Sequence, residues 1–135
     1  MILHRDGLVE MQYDAAVDIL KVKWLDSKGA TRDEFGYSFQ KLLETIRNYD
    51  IKKLLIDSRE DITAVTDEEY KELNTTFANK LAGTRLARIA RLGTTNTSRE
   101  SFVEALVEDV LALPDTTVAY HNFYDEQHAT AWLVA

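Results

Sequence analysis

"KKLLIDSREDITAVTDEE", Lys52 to Glu69, carries the pattern of a strand, a loop and a helix start. Its opening run, Lys53 to Asp57, carries Leu54, Leu55 and Ile56 on consecutive positions. Apolar residues that do not alternate are buried on both faces, which is how an interior parallel strand reads. The run breaks into Asp57-Ser58-Arg59-Glu60-Asp61 and then reaches Thr66 and Glu69, spaced as a capping box at a helix start. Tyr70, Leu73, Phe77 and Leu81 follow on one helical stripe.

The same unit recurs further along the chain. Ala87 to Leu92 reads as a strand, "GTTNTSRES" (Gly93–Ser101) as a polar loop, and Thr97 with Glu100 as another capping box. Phe102, Val103, Leu106, Val107, Val110 and Leu113 give the next helix a broad apolar face, and Pro114 closes it. Upstream, Thr31 and Glu34 open a helix carrying Phe35, Phe39, Leu42, Leu43 and Ile46. Downstream, Val118 to Phe123 is a last strand, and Ala129, Trp132 and Leu133 mark a short C-terminal helix.

The N-terminal part has a different period. Val9, Met11 and Tyr13 alternate with Glu10, Gln12 and Asp14, and Leu20, Val22 and Trp24 alternate with Lys21 and Lys23. These are strands with one wet face, joined through "DAAVD" (14–18) as a hairpin. The predicted fold is α/β, one domain over 1–135, with about five strands and about four helices. Its sheet is mixed: the N-terminal antiparallel hairpin plus parallel strands joined by right-handed crossovers.

Composition narrows the function. With 16 basic and 23 acidic residues the net charge is −7, which opposes binding to nucleic-acid phosphates. The absence of Cys excludes disulfides and thiolate chemistry and fits a cytoplasmic protein. No apolar run reaches signal-peptide or membrane-span length.

An EF-hand reading of Asp57 to Glu68 fails, because Arg59 and Ile62 stand where the loop needs a ligand and a glycine. Ser58 has no G-x-S-x-G elbow, and His4, His121 and His128 have no metal-ligand spacing. No catalytic residue, cofactor or metal is therefore expected. Ligands of parallel α/β sheets gather outside the carboxyl ends of the strands. That rule assembles a candidate ligand rim from Asp57, Ser58, Arg59, Arg91, Thr94, Ser98 and Arg99, suited to a small anion or a lipid. Arg91, inside a predicted strand, either faces a pocket or an edge or pairs with an acid such as Asp57.

The opening hairpin, the helix from Thr31 and the "KKLLID" strand with its loop and helix resemble the SpoIIAA-like fold. STAS domains (the anti-sigma-factor antagonists) share that fold with the lipid-binding SEC14-like proteins. The layout looks closest to small stand-alone bacterial members of undefined role. In the antagonists a D-S-S-G motif at the helix start after this strand is phosphorylated by a partner kinase. Here Thr66 falls near that place, flanked by Asp67, Glu68 and Glu69 instead. The resemblance implies a non-enzymatic signalling or protein-interaction module contacting an unknown protein partner through Thr66, Asp67 and Glu68. The alternative is a small-molecule carrier or sensor using the rim. Exposed apolar surface would also permit a homodimer.

Overall fold

The computed structural model describes residues 1–26, 30–60, 66–111 and 118–135. Six strands form one sheet: β1 (Ile2–Arg5), β2 (Val9–Asp14), β3 (Ile19–Trp24), β4 (Lys53–Asp57), β5 (Arg88–Leu92) and β6 (Ala119–Phe123). Four helices accompany them: α1 (Arg32–Asn48), α2 (Asp67–Lys80), α3 (Thr97–Leu111) and α4 (Glu126–Val134). The fold is the expected mixed α/β, with one strand more. β1 pairs antiparallel with β2 at the sheet edge, and the two are joined through Asp6-Gly7. The Asp6 carboxylate accepts from the N–H groups of Leu8 and Val9 and so holds the turn.

The strands lie in sequence order, β1 to β6, antiparallel through β3 and parallel from β3 onward. A sheet that always advances in one direction through right-handed crossovers must place every crossover helix on the same face. The packing agrees. Leu20, Val22, Trp24, Leu54 and Ile89 of the sheet pack with Phe35, Leu42 and Ile46 of α1 and with Leu73 and Phe77 of α2. The other face is left to α4, where Ala129 and Leu133 bury against Ile19, Leu55, Ala90 and Leu92. Both cores meet at β4, whose Leu54 and Leu55 are 0% and 2% exposed on opposite faces.

Local chemistry sets the boundaries. Thr31 with Glu34 and Thr66 with Glu69 form complete capping boxes. The expected box at Thr97 and Glu100 does not form. Asn96 takes the capping position, its Oδ1 accepting from the Arg99 N–H at 3.0 Å, while Glu100 turns toward the sheet. The physical reason is Arg91, a nearly buried cation at 5% exposure that needs a counter-charge more than the helix needs a second cap. Leu113 and Pro114, read as the end of this helix, lie outside the described residues, as does the Val110 side chain.

Gly83, just beyond α2, has φ +84°. That conformation drives a Cβ toward the carbonyl oxygen and strains any L side chain. Gly83→Ala should therefore lower stability by about 1 kcal/mol, read as a fall in urea midpoint at unchanged m-value.

Candidate functional site

Between the sheet and α1, α2 and α3 lies a cavity of about 520 Å³, within the range of small-ligand sites. The strand pleat decides which rim residues reach it. Ile56 is registered with Arg91, and Asp57 with Leu92, so Arg91 and Ile56 share the α1–α3 face while Asp57 belongs to the opposite one. Ser58 and Arg91 accordingly line the cavity. The remaining rim residues do not. Asp57 binds Arg59 through a fork, accepting from Nε at 3.0 Å and Nη2 at 2.9 Å. It does not pair with Arg91. Thr94 donates from Oγ1 to Glu100 at 3.1 Å, and Ser98 is exposed. The Arg99 guanidinium stacks over the Tyr70 ring, 4.3 Å from its centre.

Arg91 is held by a bidentate pair to Glu100, Nη1 to Oε1 at 2.8 Å and Nη2 to Oε2 at 3.0 Å. Burial alone would lower the pKa of the Arg91 guanidinium, but the Glu100 hydrogen bonds together with the charge interactions of Tyr120, Glu100 and Tyr70 outweigh it, and the net shift is upward. Burial likewise pushes the Glu100 carboxyl up, yet Arg91 and Thr94 hold it below its ordinary value. Gly93 makes room for this pair: a Cβ there would clash with Glu100 Oε1.

The cavity wall contains residues that read in the sequence only as core. Trp24, Phe35, Phe39, Phe77 and Leu86 make it mainly apolar, and Tyr70, Asn74 and Tyr120 add polar groups. Asn74 is an amide between Leu73 and Phe77 of the α2 stripe, a signal the sequence reading passed over. Its Nδ2 donates to the Tyr70 carbonyl at 2.8 Å. Burial raises the Tyr120 hydroxyl pKa, and that hydroxyl donates to Asn122 Oδ1 at 3.1 Å. Among the described residues Arg91 is the only charged side chain lining the cavity.

Histidine chemistry does not reach Ser58. Among the described residues no histidine lines the cavity. His121 packs on Phe123 and Trp132 at the α4 face, His4 bonds Asp6 at 2.8 Å, and His128 bonds Asp125. No group of three or more His, Asp and Glu side chains among the described residues could hold a metal ion. Nor is any helix among them long and apolar enough to cross a membrane.

The residues tied to a partner surface lie elsewhere, at the start of α2. Thr66, Asp67 and Glu68 are exposed, and the Thr66 hydroxyl accepts from the Glu69 N–H at 3.1 Å. The 61–65 part of the loop before them, with Val65, is outside the described residues.

Fold and site together define an α/β domain with an aromatic-walled cavity carrying one cation. No family model, curated protein or solved structure matches the chain.

Proposed function

We propose that the protein binds a small, mainly apolar molecule between its sheet and helices α1–α3, as a carrier or sensor and without performing chemistry on it. The observation that carries this reading is a cavity of about 520 Å³ whose aromatic wall meets a few convergent polar groups. A void of that size inside close-packed material leaves its lining short of contacts, which a ligand would restore.

The reading is tested by thermal unfolding with decanol, decanoate and anilinonaphthalene sulfonate. A ligand at one hundred times its Kd stabilises by about 2.7 kcal/mol, so at least one probe should raise Tm by several degrees. Val107→Phe, which fills the cavity from α3, should remove the shift and leave the unliganded chain folded. No shift with any probe, or equal shifts in this variant, would count against the cavity as a site.

The second reading, a STAS-like module that binds a protein partner, is supported by the exposure of Asp67 and Glu68 and by the resemblance of the layout. Its phospho-switch form is weakened by the role of Thr66 as a cap. A phosphate there would disrupt the box and face Asp67, Glu68 and Glu69. Charge reversal at Asp67 and Glu68 should abolish capture of a partner if this surface is the contact. Undiminished capture of every partner would remove it.

A further inference from the structure

We propose that the ligand class of this cavity is an amphiphile ending in a carboxylate, and that its head displaces Glu100 from Arg91. The inference rests on the cavity reading above and deepens it by naming the head group.

Among the described residues the cavity offers a cation and no anion of its own. Arg91 lines it, whereas Glu100 reaches Arg91 from the first turn of α3 and is not part of the wall. The guanidinium already holds a carboxylate with two parallel N–H···O bonds, so the recognition geometry for a ligand carboxylate is in place. Both carboxylates cannot stay. Two anions beside one buried cation would leave a net negative charge in an apolar space, which is costly.

Glu100 is the one able to leave. Its side chain is 18% exposed against 6% for Arg91, so it borders water. Released, it stays at the N-terminal turn of α3, where the helix dipole favours a negative charge. A ligand carboxylate would take over the fork, with Tyr70, Ser58 and Tyr120 also on the wall. The apolar tail has a defined course. α2 runs back along the sheet from Tyr70 to Phe77, and the wall continues to Leu81, Gly83 and Leu86 at the other ends of the strands. Glu100 thus holds the Arg91 fork that a ligand head would take, and its release would couple ligand entry to the 93–100 segment.

The test measures Kd for decanoate and decanol by calorimetry on the full chain and on three variants. In the unaltered protein decanoate should bind tighter than decanol, by less than the roughly tenfold that a charged hydrogen bond contributes, because the fork to Glu100 is given up as the fork to the ligand forms. Glu100→Gln weakens the internal competitor and should strengthen decanoate binding while leaving decanol unchanged. Gly93→Ala forces the Glu100 carboxylate aside without removing either charge, and should act in the same direction if Glu100→Gln does not fold. Arg91→Met should abolish the preference and keep decanol bound. Equal affinities for acid and alcohol, or no gain in both Glu100→Gln and Gly93→Ala, would overturn the carboxylate assignment and leave the cavity reading standing. Binding of neither probe would overturn both.

Discussion

Glu100→Ala is expected to destabilise the protein by about 3 kcal/mol at neutral pH, because breaking a buried pair leaves the surviving charge uncompensated. Arg91 is that charge. Its side chain is 6% exposed and borders an apolar cavity, so without Glu100 it has no nearby carboxylate among the described residues that line the cavity. Against a total stability of about 5–15 kcal/mol the loss would be large. Urea denaturation reads it as a reduced midpoint at constant m-value. The double change Arg91→Met with Glu100→Met should recover stability to within about 1 kcal/mol of the original, since an apolar replacement of a whole buried pair is often neutral. A single-variant cost under about 0.5 kcal/mol would place the pair with weak surface bridges instead.

Arg59→Ala is the second large effect, at about 2 kcal/mol near pH 7. Most of that cost comes from the partner left behind. Arg59 is 46% exposed and can return to water, whereas the Asp57 side chain is 3% exposed and would keep only the Arg59 backbone N–H of its present bonds to that residue. Burial alone would raise the Asp57 pKa, but the Arg59 bonds prevail and it lies below its ordinary value. The sign follows from that depression. The stabilising contribution is complete above the unfolded carboxyl value, about 3.9, and is lost as pH falls through the lower folded pKa. The difference between the unaltered protein and Arg59→Ala should therefore be greatest near neutrality and shrink below about pH 4. A difference independent of pH from 7 to 2 would show that Asp57 is not the group stranded.

Most of the architecture was legible because it is written in short-range patterns. The unbroken Leu54-Leu55-Ile56 run marks a strand sandwiched between two cores, and both faces are indeed buried. Thr31 and Thr66 start helices because their caps need only residues three positions away. The edge strand β1 went unread because its four residues show no alternation, although Asp6-Gly7 is a hairpin signal. Thr97 misled for another reason. The cap pattern was present, but Glu100 was claimed by Arg91, a long-range demand that no local spacing reveals.

The site was legible only in part. Grouping residues by strand end put Ser58 and Arg91 together, and both line one cavity, yet counting them with Asp57 and Arg59 ignored the pleat, which sends neighbours to opposite faces. The aromatic wall could not be separated from core. Trp24, Phe39 and Phe77 have the periodicity of packed residues, and a cavity is a shortfall between elements rather than a pattern along one of them. Asn74 and Arg91, polar residues on inward-facing positions, were the usable signals.

The most direct test of the cavity as a binding site uses its own fluorophore. Trp24 lines the cavity with its ring centre 5.1 Å from that of Phe39, tilted against it, while Trp132 packs against Phe123 on the α4 face. In Trp132→Phe, titration with decanoate should change Trp24 emission saturably, and in the same protein bearing Val107→Phe the change should vanish. A folded Trp132→Phe protein whose Trp24 emission stays constant with decanoate, decanol and anilinonaphthalene sulfonate alike would contradict the account.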